Sequence, residues 1–79
     1  MSPTVTTIGF YRFFFFANEA GEPPHIHVER DRSLAKFWLR PVALASSKRF
    51  ASQELRAVEA VVVANAAAFL EAWYEFFPN

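Results

Sequence analysis

Apolar and polar residues alternate most cleanly in the middle of the chain. Over 25–30, His25, His27 and Glu29 fall on one side of a strand, and Ile26 and Val28 fall on the other. A second alternating run, 34–40, puts Ala35, Phe37 and Leu39 on one face and Lys36, Trp38 and Arg40 on the other. Between the two runs, Arg30-Asp31-Arg32-Ser33 predicts a tight polar turn, and Pro41 stops the second strand. Upstream, 3–8 is rich in β-branched residues and predicts a first strand, with Gly9 as a turn or bulge. Residues 10–17 predict another strand, with Phe10, Arg12, Phe14 and Phe16 opposite Tyr11, Phe13 and Phe15. Both of its faces are largely apolar, so it belongs inside a sheet covered on both sides.

The period then changes. Leu55, Val58, Val62, Ala66, Phe69, Leu70, Trp73 and Phe77 recur at helical spacing. The stripe keeps its phase across Asn65, so the pattern predicts one helix over 52–77, with Ser52 as N-cap and Pro78 as terminator. Residues 41–51 read as a connector holding one helical turn at 42–44, with Phe50 as a plug for the core. The one conspicuous loop is Asn18-Glu19-Ala20-Gly21-Glu22-Pro23-Pro24. The expected fold is therefore α+β. It is a two-layer sandwich in which a three- to four-stranded antiparallel sheet is covered by one long C-terminal helix. The helix should cover the face of Ile26, Val28, Ala35, Phe37 and Leu39. The other face should display His25, His27, Glu29, Lys36, Trp38 and Arg40, with Arg12.

Composition narrows this in a few places. A chain of 79 residues is one domain, 1–79, and its 53% hydrophobic content, with ten phenylalanines, offsets a small core. The absence of cysteine excludes a disulfide framework and a zinc–thiolate site. Net charge is zero, but residues 1–50 carry +3 and residues 51–79 carry −3, a division suited to an anion at one end. The Phe13–Phe16 run is too short for a signal peptide, and Glu59 and Asn65 interrupt the best apolar stretch. The expectation is a cytoplasmic protein without membrane contact.

Two imidazoles on one strand face, about 6.5–7 Å apart at Cα, suit three chemistries. The first is metal-independent acid–base catalysis on RNA. There His25 and His27 take and give protons, Arg12, Lys36 and Arg40 hold phosphate, and Trp38 stacks on a base. The second is metal binding, for which His-x-His supplies two ligands. Glu29 lies about 13 Å from His25 along the strand, so the third would come from Glu19 or Glu22 in the loop. The third is structural: the imidazoles hydrogen-bond loop carbonyls, while Trp38 and Phe14 pack at a subunit interface. The site is read as catalytic His25 and His27 with substrate-binding Arg12, Lys36, Trp38 and Arg40, and with no metal or cofactor.

Gly9-Phe10-Tyr11-Arg12-Phe13-Phe14-Phe15, Asn18-Glu19, Glu22-Pro23-Pro24-His25-Ile26-His27-Val28, Ala35-Lys36-Phe37-Trp38-Leu39 and Pro41-Val42 together resemble a small bacterial family, domain of unknown function 4160. The resemblance extends through Glu54-Leu55, Asn65 and Glu71-Ala72-Trp73. It implies a bacterial origin and a toxin–antitoxin-like pairing with a small protein from the neighbouring gene, domain of unknown function 2442. This chain departs from the family pattern in lacking a glycine at the 30–33 turn. It also carries Val61-Val62-Val63 and Ala66-Ala67-Ala68 where charged residues are more usual. The expected function is thus a component of such a module, acting on RNA through the His-x-His face. The alternative is a non-catalytic module that binds the neighbouring product or forms a homodimer.

Overall fold

The computed structural model describes residues 4–78. Five strands form one antiparallel sheet in the order β1 (Thr4–Ile8), β2 (Tyr11–Phe14), β3 (His25–Arg30), β4 (Ser33–Leu39), β5 (Val42–Lys48). Every strand pairs with its neighbour in sequence. Three of the four connections are two-residue turns, and the backbone chemistry of each is visible. Gly9 takes φ 59° after Ile8, Asp31 takes φ 54° after Arg30, and Arg40-Pro41 is a cis bond after Leu39. Glycine reaches positive φ without steric cost, and aspartate tolerates it better than most residues. The fourth connection, residues 15–24, is the only long one, and it forms the site described below.

Two helices, α1 (Ser52–Ala64) and α2 (Ala66–Phe76), cover one face. The core between the layers holds Phe13, Phe15, Ile26, Val28, Ala35, Phe37 and Leu39 from the sheet side and Val58, Val62, Phe69 and Trp73 from the helices, closed by Phe50. This is the face that alternation assigned to the core. Phe13 packs on Phe69 with ring centroids 5.0 Å apart, and Phe15 meets Trp73 edge-on at 5.3 Å. At the start of α1, Glu54 accepts hydrogen bonds from Tyr11 and Arg30 (3.0 and 2.8 Å), tying the helix to β2 and β3. Glu54 and Tyr11 hold the Arg30 guanidinium above its ordinary pKa.

The architecture corrects three expectations. The sheet has five strands rather than three or four, because 42–48 is a strand and not a connector with a helical turn. The helix is two helices. Asn65 leaves the helical region at φ −113°, ψ 10°, and its side-chain amide donates to the Val61 carbonyl at 2.8 Å. Ser52 is the first helical residue, not the cap; Ala51 takes that position without a side-chain hydrogen bond. The first strand begins at Thr4, and residue 3 lies outside the described residues. No helix among the described residues is long and apolar enough to cross a membrane.

Candidate functional site

Strand parity places His25 and His27 on the face away from the helices, as the alternation requires, but that face is not open there. The loop 15–24 folds back over it. His25 is fully buried, and His27 and Glu19 are nearly so. The loop reaches this position because Phe14 and Phe16 continue the parity of β2 and bracket the His27 ring. Phe14 stacks on it at 5.4 Å and Phe16 meets it edge-on at 4.6 Å. Trp38, directly across the ladder from His25, closes on that ring at 5.7 Å, and Trp73 reaches it from α2 at 4.8 Å.

Glu19 is the hub. Its Oε1 accepts the Phe16 N–H at 3.0 Å, which fixes the carboxylate on its own loop. Its Oε2 lies 2.8 Å from His27 Nε2, in hydrogen-bond geometry. His25 Nε2 lies 2.9 Å from Oε1 but is not aligned as a hydrogen bond to it; this atom and His27 Nδ1 are buried without hydrogen-bond partners. On the far side of the ring, His25 Nδ1 donates to the Pro23 carbonyl at 2.9 Å. A turn hydrogen bond from the Glu22 N–H to the Glu19 carbonyl and a ladder bond from Leu39 to Pro24 complete the loop's attachment.

The electrostatics follow the burial. Burial alone would push the Glu19 carboxyl up, but the hydrogen bonds from His27 and the Phe16 amide, with the adjacent His25 ring, outweigh it and hold the group below its ordinary range. Burial dominates at His27 and lowers its pKa, against the opposing pull of Glu19; His25 and Lys36 add to the lowering.

The residues assigned to phosphate and base are on or beside this face, and most are already engaged. Arg12 binds Glu29 at 2.6 Å and Thr4 at 2.8 Å, and lies over the Phe14 ring. Lys36 binds Glu22 at 2.6 Å and lies over Trp38. Arg40 donates to the Tyr74 hydroxyl at 2.9 Å, at the turn beyond β4. The structure thus brings His25, His27, Lys36 and Trp38 together, and places Arg12 and Arg40 at opposite ends. The expectation of an exposed histidine pair is corrected, because the loop that carries Glu19 covers both rings. Glu19 had a place in the sequence only as one of two carboxylates able to join the histidines. Its eight-residue separation from His27 carries no periodic signal.

One ligating atom from each of Glu19, His25 and His27 falls within 4.8 Å of the others, so the trio has the donor set and spacing of a small cation site. Among the described residues, His27 also borders a cleft of about 290 Å³, lined by Lys36, Ser46, Ser47 and Lys48. No curated protein matches the chain, and no solved structure does. A family model does match, over residues 11–74, which takes in the long loop, the histidine strand and nearly all of both helices. The chain belongs to the family described as Domain of unknown function (DUF4160).

Proposed function

We propose that this protein is the binding member of a toxin–antitoxin-like pair, a non-catalytic cytoplasmic module that docks on the small protein encoded beside it. The observation that carries this reading is the burial of both imidazoles under Glu19. An acid–base pair must reach within hydrogen-bond distance of a substrate, and here Glu19 and aromatic rings occupy the approaches. The outer helix face offers a surface of the opposite kind. Ala60, Val63, Ala64, Ala67 and Ala68 are all exposed and fall on one stripe, with Val63 57% exposed. Small side chains let a partner backbone approach closely, and this stripe includes positions where the family pattern has charge.

The test is co-expression with the neighbouring protein, followed by light scattering on the purified material. A stoichiometric heterocomplex that Val63→Glu disrupts supports the reading. Failure to associate would overturn it, and self-association through the same stripe would replace the partner with a second copy of this chain. A second reading, RNA cleavage through His25 and His27, draws on the cleft beside His27 with its two lysines. It predicts that induction arrests growth of a bacterial host and that His25→Ala and His27→Ala relieve the arrest at equal soluble expression.

A further inference from the structure

We infer that Glu19, His25 and His27 bind a divalent transition-metal ion of the zinc class, which fastens the loop 15–24 to the sheet. This goes beyond the proposed docking function and does not depend on it.

The argument starts at His25. A carbonyl oxygen only accepts, so the Nδ1 that contacts Pro23 at 2.9 Å carries hydrogen. In a neutral ring Nε2 is then a bare lone pair. That atom is fully buried, has no hydrogen-bond partner, and faces a carboxylate oxygen 2.9 Å away. A lone pair and a carboxylate repel unless something positive lies between them. A proton on Nε2 would serve if N–H pointed at the oxygen, but this contact lacks hydrogen-bond alignment. A metal ion does not need that line. It sits to one side, and its ligands converge on a third point.

The distances allow this once the side chains draw together. Zinc binds imidazole nitrogen at about 2.0–2.1 Å and carboxylate oxygen at about 2.0–2.2 Å, so tetrahedral ligand atoms lie about 3.3 Å apart. His25 Nε2 meets Oε1 at 2.9 Å and His27 Nε2 meets Oε2 at 2.8 Å, and one ligand atom from each residue falls within 4.8 Å of the others, so the three must draw together by up to about 1.5 Å to reach that spacing. Groups that would orient two of the three ligands are in place, while His27 Nδ1 has no partner. A metal-bound histidine characteristically donates its other ring N–H to a carboxylate or a backbone carbonyl, as His25 does to Pro23. The Phe16 amide orients the carboxylate in the same way. Phe14, Phe16, Trp38 and Trp73 wall the histidines with apolar surface, which strengthens charge–dipole contacts inside. Two nitrogens and one oxygen, with no thiolate, suit a borderline divalent ion rather than a soft one.

The experiment uses the full chain, purified without a histidine tag and stripped with chelator. Zinc titration by calorimetry should give one site per chain. Saturation at about a hundredfold excess over Kd should raise Tm by on the order of 10 °C for a domain of this size. Cobalt(II) in the same site should give the visible d–d bands of a four-coordinate ion, with water in the fourth position. Glu22→Gln, which changes the neighbouring loop carboxylate only, should bind as the wild type does. His25→Ala and Glu19→Gln should each lose about a hundredfold or more in affinity, compared with the 10–100-fold typical of losing a group that only orients a ligand. The absence of one-to-one binding by the wild type overturns the inference, as does unchanged binding in either folded variant. If the variants fail to fold, X-ray absorption of the wild-type zinc complex decides. Two imidazoles in the first coordination shell support the site, and fewer overturn it.

Discussion

Replacing Glu19 with alanine should destabilise the metal-free protein far more than replacing Glu22, although the two carboxylates lie three residues apart in one loop. Glu19 is buried and gathers three contacts, from the Phe16 amide, His27 and His25, at 3.0, 2.8 and 2.9 Å. Its removal leaves an amide hydrogen and the His27 Nε2–H without acceptors. Each hydrogen bond to a charged group is worth about 1.5–3 kcal/mol, and stranding a buried polar group costs about 1–3 kcal/mol. Because these contacts share one carboxylate they do not add, and about 3 kcal/mol is the expected loss. Glu22 makes one ion pair, 2.6 Å to Lys36, with its side chain 41% exposed. Such pairs contribute about 0–1 kcal/mol. In Tm, the contrast is about 12–24 °C for Glu19→Ala against a few degrees for Glu22→Ala, at about 4–8 °C per kcal/mol. Thermal melts in chelator measure the difference. Hydrogen exchange adds a local signature, because the Phe16 amide should lose protection before the core strands do. Equal destabilisation by the two variants would refute the view that the loop is fastened from within.

Other consequences are as specific. Phe69→Ala removes a buried ring packed on Phe13 and should cost about 3–5 kcal/mol in urea melts. Asn65→Ala loses the bond to the Val61 carbonyl but gains helix propensity, so stability should stay within about 1 kcal/mol of wild type; a larger loss would mean the bend itself is required. The Glu19 carboxylate is held below its ordinary pKa, so its contribution is complete above the unfolded value of about 4.3 and is lost as pH falls through the lower folded value. The stability gap between wild type and Glu19→Ala, followed by denaturant melts in chelator, should therefore widen below pH 7, where Glu19 favours protonated His27, and close below pH 4.

How far the fold could be read from the chain depended on what each segment buries. The strand His25–Arg30 was legible to the residue, and β4 within one residue at each end, because both alternate against a filled core. Strand β5 was not legible. It is an edge strand with only Val42 and Ala45 half-buried, and the register shift between its partners Lys36 and Phe37 breaks the alternation at Ala45. The bend at Asn65 was hidden for the opposite reason. Val58 and Val62 before it and Phe69 and Trp73 after it keep one phase, so the apolar stripe passes through without a gap. Parity identified the histidine face correctly, but parity says nothing about what folds over a face. The closure depends on a ten-residue loop whose shape is set by tertiary contacts, so Glu19 could be named as a candidate but not placed.

The next-neighbour topology has a consequence for how the molecule assembles. With each strand pairing to the one before it, and three of four turns only two residues long, the sheet can zip from local contacts, a low-contact-order route that favours rapid folding. Its apolar face must wait. The partners of Phe13 and Phe15 are Phe69 and Trp73, more than fifty residues downstream, so the largest loop closure comes last. During synthesis the finished sheet would emerge with that face wet and both edges unpaired, a short-lived, aggregation-prone species. Arrival of α2 ends it, which makes the second helix the folding checkpoint of the chain.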